Sequence, residues 1–316
     1  MKLHKRLFCL ILAVVCLAFT VLPVSADNGN SLSIFYESGD TPLVGAPFSL
    51  YLVAWKDADG RLIVGEDFAK YHVNITDDPS AWPMLASTLA AYASFGQIEP
   101  VKRGVTDIEG MLRFSGLEDG IYLVVGELHH QNEKYYTSEP ALVELPGRSA
   151  ATGAIQRNVT ISPKAEWVPD GGGDEWEEET IKVLKVWADG NAPDRPASVT
   201  VHLLQNGQIY DTVTLGEEDR WSYTWHGLPT GHDYAALEDV PNGYTVTVKR
   251  QGITFVVTNT AVGGGEELFD PELPEDPDET IPETGQPWAY VLLLTAAGLL
   301  FLVVGLYIRR GKDHEA

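Results

Sequence analysis

The chain has 316 residues and a formal net charge of −23 at pH 7. Its two cysteines, Cys9 and Cys16, both fall in the first 26 residues. Once that segment is removed, disulfides, zinc thiolates and cysteine nucleophiles are excluded. The acidity argues against nucleic acid and anionic lipid as partners, and by itself reads as no more than the solubility of an exposed protein.

Lys2, Lys5 and Arg6 precede an apolar run from Leu7 to Leu22, and "VSA" follows at Val24–Ala26. A basic start, an apolar stretch and small residues at −3 and −1 predict a secretory signal peptide over 1–26, cleaved after Ala26. The other reading is an uncleaved anchor helix. What lies between the two ends, 27–284, carries a net charge near −27.

Residues 27–168 read as a β domain. "SLSIFYES", "PFSLYLVAW", "TDIEGMLRFSGLEDGIYLVVGE", "YYTSEPALVELP" and "RNVTISPK" are short alternating runs separated by turn residues. "PSAWPMLASTLAAYASFG" interrupts them with Ala, Leu and Met, and Leu85, Leu89 and Tyr92 recur at helical spacing. This predicts a short helix packed on the sandwich edge, with a structural role. "DADG" at Asp57–Gly60 fits a hairpin turn better than a calcium loop. His129–His130 point to opposite faces of a strand and read as a solvated loop; no metal or cofactor is expected.

"PDGGGDEWEEE" forms an acidic, Gly-rich linker over 169–179. The 180–261 stretch is again β, with "TIKVLKVW", "SVTVHLLQNG", "WSYTWHGL", "YTVTVKR" and "ITFVVTNT" as alternating runs. "TDIEGMLRFSGLEDGIYLVVGE" and "GEEDRWSYTWHGLPTGHDYAALED" share an aromatic-rich strand, Gly-Leu, a Gly turn and a Tyr strand ending at Glu127 or Glu238. Two copies of one module follow from this. The fold class expected is all-β: two Ig-like β-sandwich domains in tandem.

Strand parity singles out three polar residues of the second domain. Ile181, Val183, Lys185 and Trp187 fall on one face, Ile253, Phe255, Val257 and Asn259 on another, and Tyr234, Ala236 and Glu238 on a third. A buried lysine and a buried carboxylate lose charge together, because burial lowers the pKa of the first and raises that of the second. A neutral amine is a nucleophile, and a neutral acid can polarise the Asn259 carbonyl and shuttle protons. The product is a Lys185–Asn259 isopeptide bond formed once, with loss of ammonia. Parity alone leaves two alternatives open: a plain buried Lys–Glu ion pair, or a Lys185 that faces water.

After an acidic, Pro-rich spacer over 262–280 comes "IPETG" at Ile281–Gly285, then the apolar run Trp288–Ile308 and the basic residues Arg309, Arg310 and Lys312. At about 1.5 Å per residue the run spans roughly 31 Å, enough to cross a hydrocarbon core. The basic tail predicts a cytoplasmic C-terminus.

"LKVWADGNAPDRPASVTVHLLQNG", "WSYTWHGLP", "YAALEDVPNGYTV" and "FVVTNT" resemble the Cna B-type module of Gram-positive surface proteins. The resemblance implies that Lys185 and Asn259 form the crosslink and that Glu238 catalyses it. "WPMLASTLAAYASFG", "GLEDGIYLVVGE" and "YYTSEPALVELP" resemble the N-terminal domain of SpaA-type pilins. There Phe35 and Tyr36 stand where a related domain carries its lysine, so no equivalent bond is expected in the first domain, although Glu127 keeps the carboxylate's place.

"IPETG" with its span and tail resembles the LPxTG-type sorting signal, its Ile281, Pro282 and Glu283 leading to cleavage between Thr284 and Gly285 by a sortase of class A or C. "VTISPK" at Val159–Lys164 resembles the pilin motif, making Lys164 the acceptor for another subunit; it departs from the pattern at Ser162 and also reads as a strand end before a linker. The resemblances together imply a non-enzymatic, wall-attached surface protein that is held in the membrane only before sorting. Its implied partners are sortase, other pilin subunits or the peptidoglycan cross-bridge. The rival is a wall-anchored adhesin that binds a host ligand through its first domain.

Overall fold

A computed structural model describes residues 29–149, 151–168, 178–193 and 195–262. The expected signal peptide with Ala26, most of the linker, nearly all of the spacer, Ile281–Gly285 and the apolar run Trp288–Ile308 lie outside the described residues. Among those described, no helix is long and apolar enough to cross a membrane.

The described residues are mostly β. With two-residue bridges left unnumbered, the first part runs β1 (Asn30–Phe35), β2 (Pro47–Lys56), β3 (Leu62–Val64), α1 (Glu66–Ala69), α2 (Trp82–Phe95), β4 (Lys102–Val105), β5 (Met111–Leu117) and β6 (Gly120–Gly126). It continues with β7 (His129–Gln131), β8 (Lys134–Ser138), β9 (Ala141–Leu145), β10 (Asn158–Ile161) and β11 (Ala165–Val168). The second part runs β12 (Glu178–Ala188), β13 (Ser198–Gln205), β14 (Gln208–Gly216), β15 (Ser222–Pro229), β16 (Tyr234–Glu238), β17 (Tyr244–Gln251) and β18 (Thr254–Ala261).

In the first part, one sheet has the order β10-β1-β5, another β9-β6-β2-β3 with β4 also on β2, and a third β11-β8-β7. In the second, β15-β12-β18-β17 packs against β14-β13-β16. The opening strand pairs parallel with a late strand in each: β1 with β10, and β12 with β18. It also pairs antiparallel with a middle strand, β5 or β15. This common pairing is what two copies of one module produce.

The alternation of β6 explains the layering. Tyr122 and Val124 belong to a core shared with Leu32, Ile34 and Phe48 between the two sheets. Ile121 and Leu123 point the other way, into a second core with Phe68, Leu85, Leu89 and Ala93 beneath the helices. A strand buried on both faces reads as a continuous apolar run rather than an alternating one, which is the character of "GIYLVV".

The helix α2 is buried on more than the face that its periodicity announced. Leu85 and Leu89 face the first domain, whereas Ala91 and Tyr92 belong to the core of the second. An apolar surface that wraps most of a helix marks one enclosed between layers. The helix therefore lies between the two sandwiches, not merely on the edge of one.

Candidate functional site

Alternation along β12 carries Ile181, Val183 and Lys185 inward, and all three are at most 3 % exposed. A one-residue slip in register would put Lys185 in water and Lys182 in the core. Pairing with β18 fixes that register, setting Lys185 opposite Val257 and Trp187 opposite Asn259. Lys185 and Asn259 are thus diagonal neighbours on adjacent parallel strands. Glu238 reaches them from the facing sheet, at the end of β16, where its strand pairs with β13.

The three groups meet in a closed space. The Lys185 and Glu238 side chains have no exposed surface, and Nζ lies 3.6 Å from Oε2. Asn259, wholly buried, donates from Nδ2 to Glu238 Oε1 at 2.5 Å. Lys185 Nζ also donates to the carbonyl oxygens of Val186 at 2.7 Å and Val257 at 3.3 Å. Asn259 Oδ1 is buried without a hydrogen-bond partner. This orphaned oxygen sits beside a carboxyl that would satisfy it if protonated, with the amide turned over.

Burial decides the charge states. Desolvation lowers the Lys185 pKa to about 8, against the opposing pull of the nearby Glu238 carboxylate. The same desolvation raises the Glu238 carboxyl above its ordinary range, although Lys185 and the Asn259 amide oppose it. Each shift moves the pair toward the neutral forms, in which the amine has a free electron pair and the acid a proton to give.

A lid covers the amine, built on the tryptophan that parity sets on the same face as Lys185. The Trp187 ring lies over Lys185 Nζ at 4.2 Å from its centroid. Trp221 and Tyr244 brace that ring edge-on at 5.3 and 5.1 Å. Arg195 reaches over it as well, held by Asp189, whose carboxyl it lowers to about 2. Tyr244 donates its hydroxyl to Asp189 at 3.1 Å. Asp189 follows β12 directly in "ADGN", a turn that composition alone reads as punctuation.

The remaining expectations separate. Ile253, expected with Phe255 and Val257, precedes β18 and is 47 % exposed. Gly252 at φ +56° turns the chain there, so the strand begins one residue later than the parity count has it. In the first domain Tyr36, two residues beyond Ile34, takes the place that Lys185 holds in the second. It is buried edge-on to Phe48 at 5.2 Å. Among the described residues of that domain no lysine is buried, and Glu127 is exposed. Lys164 lies at the surface just before β11 and pairs with Glu166 at 2.5 Å. Asp57 holds the amides of Asp59 and Arg61, which closes the turn after β2.

Residues 181–260 match the family described as Cna protein B-type domain. Among curated proteins, none matches the chain. Solved structures resemble it weakly. A single B repeat unit of the collagen-binding surface protein Cna of Staphylococcus aureus is 18 % identical, covers 73 % of this chain and 96 % of its own, and has a TM-score of 0.26. The minor pilin GBS52 of Streptococcus agalactiae is also 18 % identical, with coverages of 78 % and 100 % and a TM-score of 0.25. The major pilin SpaD of Corynebacterium diphtheriae is 13 % identical, with coverages of 74 % and 98 % and a TM-score of 0.29.

Proposed function

We propose that the chain is a structural cell-surface protein, a pilin-like subunit, whose second domain locks itself with a Lys185–Asn259 isopeptide bond. The observation that carries this is the buried trio: an amine, an amide and a carboxyl enclosed together, with burial driving amine and acid toward neutrality. The Lys185 Nζ electron pair attacks Asn259 Cγ while the Glu238 proton is given to the amide oxygen. Glu238 then carries a proton from the attacking nitrogen to the departing one. The C–N bond to Lys185 forms and the bond to Nδ2 breaks; the carbonyl re-forms as the proton on its oxygen returns to Glu238, and ammonia leaves with no change of oxidation state.

The two linked residues are 74 positions apart. By the loop-closure relation used for disulfides, such a link stabilises by roughly 4–5 kcal/mol. Glu238 acts once in each chain, so the protein is not an enzyme in the turnover sense. The intact mass of the exported chain is expected one ammonia below its sequence mass, and Lys185→Ala or Glu238→Ala should restore the full value. A wild-type chain at full mass overturns the bond.

The surface role extends this. Ile281–Gly285 serves as the sortase signal, cleaved between Thr284 and Gly285, while Trp288–Ile308 holds the chain in the membrane beforehand. The exposed Lys164 amine is the acceptor for the next subunit's Thr284 carbonyl. Lys164→Ala should abolish high-mass ladders in cell-wall extracts, and unchanged ladders would remove Lys164 from the acceptor role.

A further inference from the structure

Two sheets that pack face to face leave a seam where their outer strands meet. In the second domain that seam lies between β16 and β17, and α2 of the first domain is laid against both strands. Ala91 and Tyr92 enter the second domain's core. The Val248 amide, on the outer edge of β17, donates to Thr88 Oγ1 at 2.7 Å. The Val246 amide on the same edge donates to the His72 carbonyl at 2.9 Å. Thr88 is itself fixed, because its hydroxyl donates to Met84 O at 2.8 Å one turn back. Tyr71 stacks on Tyr92 with centroids 4.1 Å apart. The edge strand therefore has its free amides satisfied by another domain, at sites where water would otherwise bind them.

This seam is also the wall of the crosslinking centre. Glu238 is the last residue of β16, and Leu237, on the opposite face of that strand, is buried in the cluster that includes Ala91 and Tyr92. The chemistry depends on keeping water from Lys185 and Glu238, since hydration would restore both charges. On the β12 side, Trp187 and its neighbours exclude it. On the β16 side, that work falls to a helix of the other domain.

Granting the crosslink proposed above, we propose that α2 is a working part of the second domain's reaction centre. Thr88 and Tyr92 are positioning residues that hold β16 and β17 closed around Glu238, so the Lys185–Asn259 bond forms after the first domain has docked. Neither residue touches the reacting atoms. The consequence is an order of maturation: a chain whose first domain has not folded keeps its second domain unlocked.

The test follows crosslinking in time. The full chain is synthesised cell-free in detergent, and its intact mass is sampled for the loss of one ammonia. Thr88→Val keeps the volume and removes the acceptor of the Val248 amide, whereas Thr88→Ser keeps the acceptor; Tyr92→Ala and Tyr92→Phe form the matching pair. The Val and Ala variants are expected to crosslink at least about tenfold more slowly, short of the roughly 10²–10⁴-fold that a positioned acid–base group contributes in full. The Ser and Phe variants should keep the wild-type rate. Because Tyr92→Ala also disturbs packing, the isosteric Thr88→Val decides. Wild-type speed in Thr88→Val, or equal slowing in Thr88→Ser, overturns the role of α2 and leaves the crosslink standing. A wild-type chain that never loses ammonia overturns both.

Discussion

At Lys185 two physical effects compete, and their balance sets the chemistry. The Glu238 carboxylate and two backbone carbonyls favour an ammonium, while removal from water favours an amine. Desolvation is the larger, so the folded pKa falls to about 8, below the value near 10.4 of a lysine in an unfolded chain. Asn259→Ala cannot crosslink and leaves this amine free to titrate. Between the folded and unfolded values the unfolded chain binds more protons, so stability rises with pH. Glu238 works in the opposite sense: with its folded pKa raised, its contribution is full at low pH and is lost as pH rises through the folded value. The melting temperature of Asn259→Ala, measured relative to wild type, is therefore expected to climb between pH 8 and 10. A flat or falling difference would remove the buried titrating amine.

At the scale of elements, the hairpin between β13 and β14 shows how closely the helix is seated. Gly207 holds φ at +77°, and a Cβ there would overlap Ser94 Oγ at the end of α2. Gly207→Ala meets both the strained backbone and the crowded contact, and should destabilise by about 1–3 kcal/mol. Adding Ser94→Ala should recover the part due to crowding, as a thermal melt of the pair would register. The strands are largely legible in the sequence, because a period of two survives in "IKVLKVW" and sets Lys185 on the face of Ile181 and Val183, while parity alone leaves open whether that lysine meets water. The helix was legible as a helix, but only half of its contacts were. Thr88 finds its partner 160 positions away, and no local pattern announces which strand edge will need its oxygen. The lid is legible only in Trp187, which shares the face of Lys185; Asp189 and Arg195 act on the amine through that ring and through their charges, from a turn that gives no such sign. The sequence pattern extends the β18 face one residue too far, to Ile253, because a turn and a strand start look alike when both are rich in β-branched residues.

At the scale of the whole molecule, the proposed bond changes how the chain answers to load. Tension that enters along β12 reaches Lys185, crosses to Asn259 and leaves along the end of β18. Residues 186–258 then carry none of it. In single-molecule pulling, Lys185→Ala should release those 73 residues, an added extension of about 250 Å at roughly 3.4 Å each. The wild type should show no such step, and a step of equal length in both would eliminate the load-bypassing role. The net charge of −23 sets like charges against one another on neighbouring copies, which discourages non-specific association.

The parallel pairing of first and late strands has a geometric corollary. Had β12 and β18 run antiparallel, the polypeptide would enter and leave the sandwich at the same end, and the domain would hang from the chain as a side group. Running parallel, they place entrance and exit at opposite ends, so the chain is threaded through the sandwich lengthwise. In the first sandwich β1 and β10 are parallel too, but β11 follows β10 and pairs with β8, so the chain runs on past that end. The second sandwich thus adds about its own strand length to the reach of the polypeptide, some 35 Å for the eleven residues of β12. Folding here converts sequence into distance.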